Sequence, residues 1–267
     1  MNKLIVKSPA KVNLHLKILK KLTDGYHEID TAFQLIDLFD EIEYVNSKNN
    51  VNVYSNINNF NNNQNIISLV AEKLKKSNKE LGVDINLEKN IPIGAGLGGG
   101  SSNAASSIIA LNKLWNLGMT QIEMHNFAKS IGADVPFFLF GKNAYAKGTG
   151  DILQFKEPIS GNILIIDPKI FCSSKEMYKK FDQLEINKNF RGKNDFLSIF
   201  LNDNNEVKNF YNQNKDDFEI NLSGSGSCFF INYDKNDNID KFIEKIPSNW
   251  RFFACKPLQY SPICYIK

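Results

Sequence analysis

The segment from Ile91 to Trp115 contains residue types that could bind an anionic group. It places five glycines between Gly94 and Gly100, then two serines, and then a stretch with helical character. Because glycine lacks Cβ and tolerates positive φ, such a backbone can turn several N–H groups toward one anion. A helix that begins at Ser101 or Ser102 would add its dipole and its unpaired N–H groups. The pattern predicts a phosphate-binding loop, with a tightly packed turn as the alternative.

Three familiar nucleotide-binding loops do not fit this segment. Its glycines match G-x-G-x-x-G, yet no acidic residue stands where a dinucleotide-binding unit needs one, about 20 positions later. The chain also lacks the H-R-D and D-F-G sequences of protein kinases. A Walker A loop requires lysine after its last glycine, whereas Gly100 is followed directly by Ser101. If the segment binds phosphate, it does so as a loop of a different class.

Lys11 and Asp134 carry side chains that phosphoryl transfer could use. Transfer to a hydroxyl group requires charge neutralisation and a group that accepts the hydroxyl proton. Asp134 follows Gly132 and precedes an apolar run, so it could be this base, or it could cap the next turn. Lys11 shares a strand face with Asn13 and could attract a phosphoryl group, although a lone lysine on a strand is usually solvated. The residues alone leave these alternatives open.

The N-terminal part of the chain alternates between strand and helix patterns. Every second residue from Lys11 to Ile18 is apolar, which predicts a half-buried strand with a polar face. Helical spacing of apolar residues from Ile67 to Leu74 predicts a helix that ends near Leu81 and Gly82. Further predictions are a strand over 83–88, a helix after the glycines, a helix after a capping box at 120–123, and a hairpin over 144–155. The glycine loop therefore connects a strand to a helix.

Pro158, Ser160 and Gly161 predict a linker, so we place a domain boundary between residues 157 and 158. Strand patterns follow at 162–167, 228–233 and 250–256, and helix patterns at 173–181, 195–201 and 238–246. This alternation favours a small α+β layer. The asparagine-rich runs at 46–50, 55–65 and 202–214 are typical of loops or weakly constrained helix surfaces.

The composition excludes several function classes. With 267 residues and 42% apolar content, the chain can bury the core of one large domain or two small ones. A formal net charge of +3 is too small to indicate a nucleic-acid partner. Four cysteines without C-x-x-C spacing and three histidines predict no metal site built by the protein, and reduced thiols in the cytoplasm. We expect no signal peptide and no membrane span.

The glycine segment and four other blocks resemble one family. The run P-x-G-A-G-L-G-G-G-S-S, from Pro92 to Ser102, resembles the phosphate loop of the GHMP small-molecule kinases. The blocks SPAKVNLHL (8–16), DGYHEI (24–29) and GADVPFF (132–138) are similar to the signatures of the 4-diphosphocytidyl-2-C-methyl-D-erythritol kinases in that superfamily. The block LSGSGSCFF (222–230) is similar to their third motif. These blocks follow the family order along most of the chain.

The resemblance implies a reaction and a fold. The reaction is ATP-dependent phosphorylation of the 2-hydroxyl of 4-diphosphocytidyl-2-C-methyl-D-erythritol, in the non-mevalonate (methylerythritol phosphate) route to isoprenoids. The implied fold is the two-domain α+β arrangement of GHMP kinases. An N-terminal, β-rich, S5-domain-2-like domain would span 1–157, a C-terminal ferredoxin-like domain would span 158–267, and the active site would lie between them. Mg²⁺ is expected beside ATP, and the chain is expected to be a monomer or a weak homodimer whose partner is a small molecule.

The resemblance also implies residue roles. Lys11 and Asp134 match the catalytic pair, with Asp134 as the base. Asn65 and Lys89 would approach the adenosine part of ATP. The loop residues that would bind ATP are Pro92, Ile93, Gly94, Ala95, Gly96, Leu97, Gly98, Gly99, Gly100, Ser101 and Ser102.

The implied substrate site is built around a cytosine base. Tyr26 and His27 match the base-binding pair, Tyr178 matches the second aromatic of a sandwich, and Asn13 and Ser174 would add polar contacts. A core aromatic on an amphipathic helix is the alternative for the second tyrosine. The DGYH block separates this reading from sister kinases that act on homoserine, mevalonate or a sugar. A catalytically inactive nucleotide-binding module, the other rival, would lack the base or the lysine.

Overall fold

The N-terminal half of the chain forms a mixed sheet covered by helices. The computed structural model describes residues 2–57, 65–76, 78, 80–184, 192–234 and 238–265. The strands of this sheet are β1 (Lys3–Lys21), β2 (His27–Lys48), β3 (Val51–Ser55), β4 (Leu81–Glu88), β5 (Ala144–Lys147) and β6 (Ile152–Phe155). Their order is β3-β4-β2-β5-β6, with β1 antiparallel to β2. The helices are α1 (Ile66–Lys75), α2 (Gly99–Leu114), α3 (Gln121–Lys129) and α4 (Val135–Phe140).

The C-terminal half forms a second, antiparallel sheet. Its strands are β7 (Asn162–Asp167), β8 (Asn221–Leu222), β9 (Phe229–Tyr233) and β10 (Arg251–Cys255), in the order β10-β7-β9-β8. Helices α5 (Ser174–Gln183), α6 (Leu197–Asp203) and α7 (Asn205–Asn214) lie between β7 and β8, and α8 (Ile239–Ile243) precedes β10. This β-α-β-β-α-β succession with its strand order is ferredoxin-like, as the resemblance implied. The boundary between residues 157 and 158, which falls between β6 and β7, stays a prediction.

Three apolar clusters stabilise the fold. One lies under the first sheet and includes Tyr44, Ile108 and Phe137, and a second lies under the C-terminal sheet. The third joins the two sheets, and its members include residues of β1, β7 and the glycine loop. The loop is therefore packed into the contact between the two halves of the chain.

Several element boundaries differ from the sequence-based predictions. Helix α1 ends before Lys76, which has a φ of 53°, and Leu81 begins β4 instead of stopping the helix. Helix α2 begins at Gly99, two residues earlier than predicted, because Gly98 leaves the loop in the left-handed conformation. The capping box of α3 is present as predicted. Part of the asparagine-rich run at 202–214 forms α7, and residues 58–64 of the run at 55–65 lie outside the described residues.

The described cysteines and helices bear on two further predictions. Cys172, Cys228 and Cys255 are free; Cys228 and Cys255 are buried, whereas Cys172 is half-buried. None of the helices in the described part of the chain is both long and apolar enough to cross a membrane.

Candidate active site

A cavity of about 680 Å³ lies between the two halves of the chain. The N-terminal half lines it with β1, the glycine loop and the segment before α4, and the C-terminal half with α5 and the third motif. The catalytic and ATP-binding residues predicted from the sequence, apart from Ser102, all line this cavity. The predicted substrate residues that line it are Asn13, Ser174 and Tyr178.

The glycine loop is held by its apolar residues and shaped by its glycines. Ala95 and Leu97 are buried in the cluster that joins the two sheets, so they anchor the loop. The alternating Gly94, Gly96 and Gly98 have φ values of 62°, 76° and 70°, a region that residues with a Cβ rarely adopt. At Gly96 a Cβ would lie only 2.0 Å from the carbonyl oxygen of the third motif that packs there. The sequence G-A-G-L-G therefore specifies one rigid conformation.

The loop directs its carbonyl groups into the protein and leaves its N–H groups unpaired. The carbonyl oxygens of residues 94–97 all accept hydrogen bonds from β1, the third motif or the segment before α5; the donors are Cys172 N, Cys228 N, Ser223 Oγ, Lys11 Nζ and Lys11 N. Within the described residues, no backbone N–H from Gly94 to Ser101 donates a hydrogen bond to another group. Helix α2 begins here without a side-chain cap. Such a set of free donors at a helix N-terminus is suited to phosphate.

Lys11 and Asn13 lie on the polar face of β1, which forms a wall of the cavity rather than a solvated surface. Both are nearly fully buried, in contrast to the half-buried strand that the alternation predicted. The Lys11 ammonium donates to Asn13 Oδ1 and, at 3.1 Å, to the carbonyl of Gly96, and it lies 5.3 Å from the centre of the Phe33 ring. Burial lowers the pKa of Lys11, and the Asp134 carboxylate opposes this shift.

Asp134 faces Lys11 across the cavity. Asp134 Oδ2 is 3.6 Å from Lys11 Nζ, and the carboxylate side chain is 34% exposed. It is the residue before α4, yet its side chain makes no capping hydrogen bond, so the alternative of a structural cap does not hold. The short helix that follows begins with Val135 and Pro136, both buried, which fixes the backbone of Asp134. A carboxylate held this way can interact with the lysine and with a hydroxyl in the cavity.

Asn65 and Asn103, which both line the cavity, each have a buried, unpaired amide atom. Asn65 Oδ1 caps α1 by accepting from Ile67 N at 2.9 Å, while its buried Nδ2 has no hydrogen-bond partner in the described structure. Asn103, on α2, also lines the cavity, and its buried Oδ1 has no described partner. Asn103 was not among the predicted site residues, although its position one turn into the helix after the glycines was a usable signal.

The three aromatic residues predicted to bind the base lie in different surroundings. Tyr26 is 59% exposed and lies outside the cavity wall. His27, the next residue, is buried and stacks on Tyr178 with ring centres 4.7 Å apart. Its Nε2 is 2.7 Å from Asp182 Oδ1, and Phe196 meets the tyrosine edge-on. Tyr26 and His27 therefore have different surroundings in this structure, and their pairing on a cytosine base stays a prediction.

Two predicted serines have different surroundings. Ser174 Oγ is 2.8 Å from Ser225 Oγ of the third motif, and both residues line the cavity. Ser102 is fully buried and accepts a hydrogen bond from Ser8 Oγ at 2.8 Å, so its side chain supports α2 against β1 instead of meeting the cavity. The third motif mainly holds the loop, since Ser223 Oγ donates to the Gly96 carbonyl at 2.9 Å.

The described residues hold no cluster of three or more His, Cys, Asp or Glu that could bind a metal ion. Among the residues that line the cavity, Asp134 is the single carboxylate, and Ser101 offers a hydroxyl. Mg²⁺ often binds through one or two carboxylates together with substrate phosphates and water. The cavity therefore fits a magnesium ion held largely by phosphate oxygens.

Comparison with known proteins agrees with this geometry. Residues 65–142 match the model of the GHMP kinases N terminal domain. The 4-diphosphocytidyl-2-C-methyl-D-erythritol kinase of Marinomonas sp. is 33% identical over 273 residues, which cover 98% of this chain and 90% of the relative. The enzyme of the same name from Francisella tularensis subsp. holarctica is 36% identical over 265 residues, covering 95% and 96% of the two chains.

Solved structures share this fold. A crystal structure of a 4-(cytidine 5'-diphospho)-2C-methyl-D-erythritol kinase superposes with a TM-score of 0.79 at 27% identity, over 94% of this chain and 98% of the other. The Methanococcus jannaschii mevalonate kinase, with a TM-score of 0.66 and 16% identity over 96% and 98% of the chains, shares the fold. The chain belongs to the 4-diphosphocytidyl-2-C-methyl-D-erythritol kinase family of the GHMP kinases.

Proposed function

We propose that this chain transfers the γ-phosphoryl group of ATP to the 2-hydroxyl of 4-diphosphocytidyl-2-C-methyl-D-erythritol, within the methylerythritol phosphate route. The observation that carries this proposal is the 3.6 Å approach of Lys11 and Asp134 in a cavity whose other wall is the phosphate loop. A nucleotide-binding module without activity would need neither group. The products are the 2-phosphate of the substrate and ADP.

Asp134 is proposed as the general base. Its carboxylate would accept the proton of the 2-hydroxyl as that oxygen bonds to the γ-phosphorus and the bond to the ADP oxygen breaks. Lys11 would orient the hydroxyl and stabilise negative charge on the transferred group, since its buried ammonium is an electrostatic donor in a low-dielectric site. Lys11 is positioned by Asn13 and the Gly96 carbonyl, which leaves it little freedom.

The free N–H groups between Gly94 and Ser101 are proposed to hold the ATP phosphates at the N-terminus of α2. Magnesium, if carried in by those phosphates, would neutralise part of their charge, with Asp134 and Ser101 as the protein oxygens available to it. Asn65 Nδ2 and Asn103 Oδ1 supply one unpaired donor and one unpaired acceptor. An adenine ring presents the matching acceptor and donor, so we place it at this end of the cavity.

The other end of the cavity is proposed to receive the cytidyl part of the substrate. Tyr178 and Ser174 line the cavity, and Asn13, which lines it too, accepts a hydrogen bond from the Lys11 ammonium. Tyr26 would reach the base from the exposed turn between β1 and β2, a role that rests on the family resemblance. Cytoplasmic location, supported by the free buried thiols Cys228 and Cys255, and a monomeric or weakly dimeric state are further proposals.

An acceptor panel tests the proposed function. ADP release is measured with ATP and Mg²⁺ for 4-diphosphocytidyl-2-C-methyl-D-erythritol, homoserine, mevalonate and a hexose, and without an acceptor. We expect ADP release only with the first alcohol, and its loss in Asp134→Asn. Preferential turnover of another alcohol would assign the chain a different substrate. ATP binding without ADP release for any acceptor would favour the inactive module.

A further inference from the structure

A buried ion pair lies directly behind the phosphate loop. Asp40, on β2, is fully buried, and its Oδ2 is 2.7 Å from Nζ of Lys89, whose side chain is 5% exposed. The desolvation of two charges usually offsets their attraction, so a pair of this kind contributes little to stability by itself. Since stability does not explain this pair, its position behind the glycine loop indicates a role at the loop.

Asp40 fixes the chain at the entrance to the loop. Its Oδ1 accepts hydrogen bonds from the backbone N–H groups of Asn90 and Ile91, each at 2.8 Å. Ile91 is buried in the cluster that also anchors Ala95 and Leu97. One carboxylate thus holds the backbone before the loop with one oxygen and an ammonium group with the other.

The Lys89 ammonium donates two hydrogen bonds within the described residues and has a third N–H available. Of the three N–H groups of Lys89 Nζ, one meets Asp40 and one meets the Ile91 carbonyl at 2.9 Å. The third has no acceptor among the described residues. Lys89 lines the active-site cavity, and a Cβ at Gly99 would lie 2.9 Å from its Nζ. The spare N–H therefore lies at the first turn of α2, beside the unpaired backbone donors.

We propose that Asp40 is a positioning residue for ATP, which holds the Lys89 ammonium against the first turn of α2 so that its third N–H binds a phosphate oxygen. This inference rests on the proposed function, because it requires ATP phosphates at the glycine loop. It moves Lys89 from the adenosine, where the resemblance placed it, to the phosphates. Burial lowers the pKa of Lys89 and the Asp40 carboxylate opposes that shift, so Asp40 also keeps the ammonium protonated.

The test compares Asp40→Asn, Lys89→Met and the double variant. The dissociation constant for ATP is measured by calorimetry, KM and kcat are measured for both substrates, and the unfolding temperature is recorded. We expect each single variant to weaken ATP binding roughly 10- to 100-fold, the usual worth of a hydrogen bond to a charged group. KM for the alcohol should stay constant. The control is Asp37→Asn, which changes another carboxylate on β2. Asp37 accepts a hydrogen bond from Lys256 N, and its replacement should leave ATP binding unchanged.

The double variant separates positioning from structural support. It removes both buried charges, so it should be more stable than Asp40→Asn, which leaves an unpaired ammonium. We expect it to bind ATP no more weakly than Lys89→Met alone, because Asp40 acts through Lys89. The inference would be overturned if the double variant regained ATP affinity together with stability. It would also be overturned if the losses of ATP affinity in the two single variants added independently in the double variant. If Asp40→Asn does not fold, normal ATP affinity in Lys89→Met overturns the inference as well. If the unchanged chain does not bind ATP, that result refutes the proposed function instead.

Discussion

The Lys11 ammonium and the Asp134 carboxylate lie 3.6 Å apart, although they come from β1 and from the segment before α4. The lysine is almost fully buried and the carboxylate is 34% exposed. A buried ammonium beside a more accessible carboxylate is suited to a reaction in which a hydroxyl enters from the cavity and loses its proton. This pair is the basis of the first two predictions.

Asp134→Asn should lower kcat by about 10²- to 10⁴-fold, the usual contribution of a general base. The amide keeps the shape of the side chain, so KM for both substrates should change little. Lys11→Met should also lower kcat, and the double variant should lose much less than the product of the two losses, because the residues act as a unit. Steady-state kinetics of the three variants measure these losses of kcat. Strict additivity would indicate independent roles.

The pH at which kcat falls on the alkaline side of the pH–activity profile, its alkaline limb, should depend on Asp134. Burial lowers the pKa of Lys11 and Asp134 opposes the shift, and the reaction requires the protonated amine, so turnover should fall as pH rises through that lowered pKa. Removing the carboxylate in Asp134→Asn removes the opposing attraction, and the limb should move to still lower pH. The residual kcat is measured from neutral to alkaline pH. Asp203→Asn, whose carboxylate pairs with Lys180 at 2.6 Å, is the control that should not move it. A limb at unchanged pH would remove Lys11 from the mechanism.

Local patterns in the sequence predicted much of this site. The glycine run predicted a loop with positive φ that leads into a helix, which the structure has at residues 94–98 and α2, and alternation placed Lys11 and Asn13 together on one strand face. The C-terminal alternation of strands and helices predicted a small α+β layer, and the resemblance to the GHMP kinases implied that this layer is ferredoxin-like. These features depend on neighbours within a few residues, which is what a sequence displays directly.

Contacts between distant residues could not be predicted this way. Asp40 and Lys89 are 49 positions apart, and neither pattern nor spacing connects them. The spacing on β1 left a solvated Lys11 as an alternative, whereas this lysine is buried and donates to the carbonyl of Gly96. The resemblance grouped His27 with Tyr26, and it could not show that His27 Nε2 lies 2.7 Å from Asp182 on α5 while the ring stacks on Tyr178. In each case the decisive partner comes from another element.

The glycines of the loop should respond differently to the same substitution. A Cβ at Gly98 would lie 2.8 Å from the Phe138 ring in a backbone with positive φ, and one at Gly99 would meet Ile91 and Lys89 at 2.9 Å. Valine at either position should therefore destabilise the protein by about 1–3 kcal/mol through overpacking. At Gly100 a Cβ meets nothing within 4 Å, so Gly100→Val should fold normally.

Gly100→Val should nevertheless weaken ATP binding at least about tenfold, because its side chain enters the space where phosphate would approach the α2 N-terminus. Calorimetry with ATP and thermal unfolding are measured on the same sample. Gly118→Val, another glycine with no neighbour within 4 Å, tests a site far from the loop, although its φ of 68° adds local strain. ATP affinity equal to that of the unchanged chain in a folded Gly100→Val would place the phosphates elsewhere.

Tyr26 and Tyr178 should separate base recognition from stability. Tyr26 is 59% exposed, so Tyr26→Ala should leave the unfolding temperature unchanged while it weakens binding of cytidine diphosphate by about 1–3 kcal/mol, the range for base–aromatic stacking. ATP affinity should barely change. Tyr178→Ala should weaken the same binding and also lower the unfolding temperature, because His27 and Phe196 pack on that ring. Tyr145→Ala, at 47% exposure on β5, is the surface control. If cytidine diphosphate binds Tyr26→Ala normally, the DGYH block does not set specificity, and a sister kinase becomes the better assignment.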